Sequence, residues 1–261
     1  MKKFSISHQG VILMIVLWLL FLISFLTIQY SKSVRQQAKL GINLKGKILG
    51  YYMAQSAVLY AQKALGISQE LTEPTEEFDL WQPDGVFHPV DLGNGTTLKV
   101  GVEAETEKLD LNAATSDQIL NLLLALDIPE DIASVIADSI MDWRDEDKIV
   151  RLNGAEDEYY QEAGCNYTPA NGPFRSLEEL LLVRGISYEL FWERPGLWRY
   201  FTIYNPEGKI EKGEKEEFIK LKNGVTYRFI VKGIVKNVYI FYISWQRWGG
   251  NKWQMLEERF Y

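Results

Sequence analysis

The chain has 261 residues, with 28 Lys or Arg against 35 Asp or Glu and a formal net charge of −7. Two histidines and one cysteine leave almost no material for His-based triads, zinc centres or an internal disulfide framework. The charge is segregated. No Asp or Glu precedes Glu70, whereas residues 70–261 hold 20 basic and 35 acidic side chains, a net of −15. So acidic an outer portion disfavours nucleic acid and suits a protein partner or divalent cations.

A short polar leader, Met1 to Gly10, runs directly into an uncharged apolar stretch from Val11 to Ile28. At ~1.5 Å per residue that stretch spans about 27 Å, close to the ~30 Å hydrocarbon thickness of a bilayer. A secretory signal is cut beyond its apolar core at a small-x-small site. The residues after this core, Gln29 to Arg35, contain no Ala-x-Ala. A plain signal anchor has the same hydropathy, and Lys2 and Lys3 are offset by Lys32, Arg35 and Lys39 beyond the apolar run, so the charge bias across the membrane is weak. The Gly10–Val11 junction is the sharper feature. It resembles the class III leader of type IV pilins and pseudopilins, in which a peptidase removes only the leader. Val11 then becomes a methylated N-terminus on an intact helix.

From Ser31 to about Leu65, Leu40, Leu44, Ile48, Tyr51, Val58 and Leu65 recur near helical spacing, which predicts a continuation of the membrane helix as one rod. Between Glu70 and Glu107, Pro83-Asp84-Gly85 and Asn94-Gly95 read as turns, and Thr96 to Glu103 alternates with period two, as in a strand. Thr115 or Ser116 caps a helix with Ile119, Leu122, Leu123 and Leu126 on one face. Pro129 precedes a second helix carrying Ile132, Val135, Ile136 and Ile140. The sequence Ser176-Leu177-Glu178-Glu179 is a capping box that opens a third helix, ending at Arg184-Gly185. Residues 225–231 and 238–243 are rich in β-branched and aromatic residues and predict strands, with Lys209–Lys222 as a charged hairpin or solvated loop. The expected fold is therefore α+β, a long N-terminal helix on an antiparallel sheet with an all-α insertion. The expected divisions are a leader (1–10), transmembrane and stalk helix (11–66), first β region (67–107), helical insertion (108–196) and second β region (197–261).

An acidic loop is the second chemical signal. Asp142, Asp145, Asp147, Glu156 and Asp157 place hard oxygen ligands on one segment, with the Asn171 side chain nearby in sequence, the ligand type calcium prefers. The spacing is not that of an EF-hand, and composition alone favours a solvated acidic loop over a calcium site. Cys165 reads as a free thiol or an intermolecular link. No phosphate loop, nucleophile elbow or marked carboxylate pair is evident, so no enzymatic activity is expected.

The order Lys108-Leu109-Asp110-Leu111-Asn112-Ala113-Ala114, then Ile140 to Asp147, Asn153 to Tyr160 and Asn171 to Leu180, behind a class III leader, resembles the type II secretion system protein K family, the large minor pseudopilins. The resemblance implies calcium sites in the inserted domain. It also implies a tip complex with the I and J pseudopilins that starts a short periplasmic pseudopilus and aids export of folded proteins across the outer membrane. The implied partners include the major pseudopilin, the prepilin peptidase and the inner-membrane assembly platform, with a single-pass anchor and a periplasmic head. Most pilins carry Glu at the fifth mature position, where it neutralises the N-terminus of the subunit above; here that position is Ile15, as befits a tip subunit with nothing above it. The alternative is a membrane-anchored DNA-binding or uptake protein. Leu122 to Ile136 and Leu180 to Ile186 each resemble half of a helix-hairpin-helix, although Asp127 and Pro129 are poor phosphate contacts.

Overall fold

The computed structural model describes residues 8–71, 79–93, 95–208 and 219–261. The first seven leader residues, Asn94 of the Asn94-Gly95 turn and most of the Lys209–Lys222 loop lie outside the described residues. Helix α1 runs unbroken from His8–Glu70, 63 residues or about 95 Å at ~1.5 Å rise. It extends four residues beyond the end expected at 66.

The two halves of α1 differ in burial. From Gly10 to Lys45 every side chain is exposed, apolar or not. Beyond that point Ala54, Ala57, Val58, Ala61, Ala64 and Leu65 form a buried stripe at the i, i+3, i+4, i+7 spacing of one helix face. Alanine on that face lets the helix axis approach the sheet closely. Gly50 extends the approach, since a Cβ there would sit 2.1 Å from Ile240 Cδ1. Ser68 finishes the contact: its hydroxyl donates to the Ala64 carbonyl at 2.9 Å and accepts from the Trp81 amide at 2.8 Å.

The sheet has five antiparallel strands in the order β1(His88–Asp91), β2(Thr97–Ala104), β5(Thr226–Val235), β6(Val238–Trp248), β7(Trp253–Phe260). Period-two alternation sorts its two faces. Val100, Val102, Phe229, Val231, Ile240 and Tyr242 point to α1, while Ile230, Ile243 and Trp245 join a second core beneath the helical segments. Lys236 and Asn237, both at positive φ (49° and 64°), close the β5–β6 hairpin, and Val235 pairs Val238 as a two-residue loop requires.

The helical segments leave and return at one place. Strand β3(Leu109–Asp110) pairs in parallel with β4(Phe201–Thr202), so residues 92 apart in sequence become neighbours. Between them lie α2(Ser116–Ala125), α3(Glu130–Arg144), α4(Asp157–Glu162) and α5(Tyr188–Trp192). Thr115, not Ser116, caps α2: its hydroxyl accepts from the Gln118 amide at 3.2 Å and the Gln118 side chain accepts from the Thr115 amide at 2.9 Å. One expectation fails in detail. Leu177–Leu182 is a 3-10 helix, not an α-helix. The Glu179 carboxylate accepts from the Ser176 amide at 3.1 Å as a capping box should, but Val183 is already extended (φ −78°, ψ 137°), which ends the segment after six residues, too soon for α-helical turns to propagate.

Two buried polar groups fasten this junction. Asp110, 1% exposed, accepts from the amides of Asn112 (2.8 Å) and Asn205 (2.8 Å), one on each side of the parallel pair. Arg228 of β5 is fully buried against the equally buried Glu105, with contacts of 2.6 and 3.0 Å. It also donates to the carbonyls of Trp198 and, at 2.9 Å, Phe201.

Candidate functional site

The expected functional residues fall in two places, the bare half of α1 and the acidic loop. Among the described residues α1 is the one helix long and apolar enough to cross a membrane. Gly10 and Val11 lie in its first turns, and Val11 and Ile15 are 41% and 54% exposed, on a surface that is apolar on all sides. A helix apolar all round requires lipid or other apolar helices around it.

In the acidic loop, Asp142 projects from the last turn of α3 and is fully buried, Asp145 caps that helix, and Glu156, 6% exposed, precedes α4. The loop between them folds back on Asp142. Arg151 donates its amide to Asp142 Oδ2 at 3.2 Å and places its guanidinium 3.4 Å from Oδ1. Gly154 fits flat against the same carboxylate, since a Cβ there would meet Asp142 Oδ2 at 1.9 Å. Asp157 pairs with the exposed Lys148 at 2.8 Å, and the Asp147 carboxylate accepts from the Ile149 amide at 2.8 Å.

Arg151, 3.4 Å from Asp142 Oδ1 and 4.0 Å from Asp145 Oδ2, offsets this cluster only in part. Burial, then the charges of Asp142, Asp145, Asp157 and Asp147, push Glu156 up to about 7. Burial also raises Asp142 and Asp145. Asp142 Oδ1, Asp145 Oδ1 and both Glu156 oxygens are buried with no hydrogen-bond partner. Orphaned buried oxygens of this kind are costly unless something neutralises them. A hard cation does so, and calcium accepts backbone carbonyls and amide oxygens as well as carboxylates. Among the described residues no three Asp, Glu, His or Cys side chains close on one point at ligand distance. A shell here therefore has to draw on carbonyl oxygens. Asn171, at φ 45°, has its own Oδ1 buried and unpaired, but no described contact joins it to the cluster.

Arg151 carries much of this arrangement and is not apparent as a site residue in the sequence. There residues 152–154 offer backbone carbonyls to a calcium shell, with no sign that Gly154 packs on Asp142. Cys165 is a half-buried free thiol packed beside the core.

The geometry weakens the helix-hairpin-helix reading. Arg184, its best phosphate donor, is engaged with the Gly154 carbonyl at 2.8 Å and lies 4.4 Å from the Tyr159 ring centroid. Gly185 serves packing: a Cβ there would come within 2.9 Å of Ile136 Cγ1. Neither is presented to a ligand.

A single long apolar helix continuing into the core of an antiparallel sheet, with a helical insertion on the opposite face, is a pilin-like architecture, and the helix fits a single-pass membrane anchor. Comparisons with known proteins narrow the class. The family model for type II secretion system protein K matches residues 97–193. Type II secretion system protein K of Aeromonas hydrophila is 27% identical over 202 residues, covering 70% of this chain and 60% of that protein. The match thus spans less than two thirds of that relative's length. A chain of the crystal structure of the GspK-GspI-GspJ complex from the enterotoxigenic Escherichia coli type 2 secretion system shares the fold, with a TM-score of 0.56 at 16% identity over 84% of this chain and 98% of its own. Residues 97–193 of this chain are thus similar to the type II secretion system protein K family, and its fold is that of the GspK-GspI-GspJ complex chain.

Proposed function

We propose that this chain is a minor pseudopilin anchored in the inner membrane by α1, with its head in the periplasm, and that it acts structurally and not as an enzyme. The observation that carries this reading is the division of α1. Its first part, Val11 to Ile28, is apolar on every side and bare, while its last turns are locked by a small-residue stripe into the sheet. Such a helix is built to enter a bundle of like helices without disturbing the head. Removal of the leader after Gly10 and methylation of Val11 release it for that bundle.

The position in the assembly is the tip. Ile15 places no carboxylate in the low-dielectric interior, and a subunit with no neighbour above it has no ammonium there to neutralise. The matching structure is a complex with GspI and GspJ, and we assign the corresponding minor pseudopilins as partners of this chain, together with the major pseudopilin, the peptidase and the assembly platform. A tip of this kind initiates the pseudopilus that drives folded proteins across the outer membrane. Calcium has a structural role in this reading: carboxylates drawn from Asp142, Asp145 and Glu156, which do not all meet at one point, would hold it together with carbonyl oxygens, and its charge would offset the repulsion among them in a buried loop.

N-terminal sequencing and intact mass of the membrane-extracted chain, with and without co-expressed prepilin peptidase, test the reading. A peptidase-dependent start at methylated Val11, lost in Gly10→Leu, supports it. An intact Met1 or a cut beyond Ile28 overturns it.

A further inference from the structure

The helical segments cover only part of the outer face of the sheet. Where cover stops, a groove of about 620 Å3 opens between the sheet and α5. Phe87, Trp192, Trp198, Phe241 and Tyr261 line it, and the rings brace one another: Trp198 lies 5.6 Å from Phe241 and Trp192 lies 4.7 Å from Tyr261, centroid to centroid. Tyr188 and Tyr239 stand at its rim, 63% and 62% exposed. The groove runs on into the uncovered sheet face at Ile234, itself 64% exposed.

Its charge is opposite to that of its surroundings. Residues 70–261 carry a net of −15, yet the groove holds Lys232 and Arg199, with Lys99 beside them. Among the described residues neither Lys232 nor Arg199 has a carboxylate partner. Lys232 instead sets its ammonium 3.5 Å from the centroid of the Phe87 ring, and Arg199 lies over Trp198 at 5.3 Å. The groove's one carboxylate, Glu103, is already taken by Lys108 at 2.5 Å. Phe87 is held over Gly101, where a Cβ would meet three of its ring atoms at 3.2 Å. Aromatic faces thus stand in for counter-ions at a half-buried lysine, and a carboxylate arriving there would gain both partners.

The shape favours a chain over a compact ligand. Cations and apolar side chains alternate along β5, with Ile230, Lys232 and Ile234 on the same outer face, and Tyr239 of β6 lies directly opposite Ile234. We propose that this groove docks an extended acidic peptide segment of a partner protein, whose carboxylates meet Lys232 and Arg199 while a neighbouring aromatic side chain enters between Phe87, Trp198 and Phe241. The inference rests on the groove's own chemistry and stands apart from the tip assignment.

The test is fluorescence anisotropy with the full-length chain in nanodiscs and a labelled peptide of alternating Glu and Phe. Parallel peptides replace Glu by Lys or Phe by Ala. The Glu–Phe peptide should bind, the Lys–Phe peptide should not, and the Glu–Ala peptide should bind about tenfold more weakly or worse. Lys232→Glu should weaken the Glu–Phe peptide by about tenfold or more at unchanged melting temperature. Lys252→Glu, at the opposite end of β6, should leave it unaltered. Equal binding of the Lys–Phe peptide, binding no greater than to empty nanodiscs, or an unaffected Lys232→Glu variant would each overturn the proposal. So would concentration-dependent dimerisation abolished by Lys232→Glu, which would assign the groove to a second copy of this chain.

Discussion

Replacing Arg228 with methionine tests how the helical insertion is fastened to the sheet. The guanidinium is fully buried, bonded to Glu105 at 2.6 and 3.0 Å and to the Trp198 and Phe201 carbonyls. Methionine keeps much of the bulk but strands a fully buried carboxylate and leaves two carbonyls without their donor. Breaking a buried pair from one side costs about 3–5 kcal/mol, because the surviving charge has no water to turn to. The double variant Arg228→Met/Glu105→Leu removes that stranded charge and should recover more than half of the loss. Urea unfolding of the detergent-solubilised chain, followed by tryptophan fluorescence, reads this directly, since Arg228 lies 5.4 Å from the Trp245 ring and 5.8 Å from Trp198. A loss below about 1 kcal/mol in the single variant, the scale of an exposed pair, would refute the reasoning. A double variant no more stable than the single would do the same.

Gly50→Leu should destabilise the head by about 1–3 kcal/mol, the usual range for overpacking, and lift α1 from β6; cysteine cross-linking between α1 and β6 checks the displacement. Gly154→Ala should cost a similar ~1–3 kcal/mol, because its Cβ meets the buried Asp142 carboxylate, and a variant of wild-type stability would contradict the packing described. In chelator, Glu156 holds its proton up to about 7 in the folded chain, against 4.5 for an ordinary glutamate. The folded state then binds more protons within that window, so stability should fall as pH rises from 4.5 to about 7 and stay lower above it. Thermal melts across that range should show the slope in the wild type and a flatter one in Glu156→Gln. Calcium at about a hundredfold excess over its dissociation constant should add about 2.7 kcal/mol, an increment that shrinks in Asp142→Asn; no calcium response at neutral pH would remove the structural-cation assignment.

The local elements were largely legible from residue order. The apolar run from Val11, the alternation of Thr96 to Glu103 and the cap at Thr115 each depend on residues a few positions apart, and the structure forms a helix, a strand and a capped helix there. The short 3-10 helix at Leu177–Leu182 was not legible, because the capping box signals a start and says nothing of how soon the chain turns extended at Val183. Nor was the cost of the acidic loop. In sequence Asp142 and Glu156 are candidate calcium ligands on a loop of solvated composition; their burial follows only when α3, α4 and the returning Gly154 close around them and remove their water.

The sequence by itself determined the anchor, the acidic head and the kinds of elements, since hydropathy, charge and short-range spacing survive without any fold. Tertiary structure alone decided which charges are buried and paired. Glu105 meets Arg228 across 123 positions, and Lys232 and Arg199 become an uncompensated pair of cations only where the insertion leaves the sheet bare. A side chain's electrostatic state is set by what excludes water from it, and in this chain that work is done by segments far away in sequence.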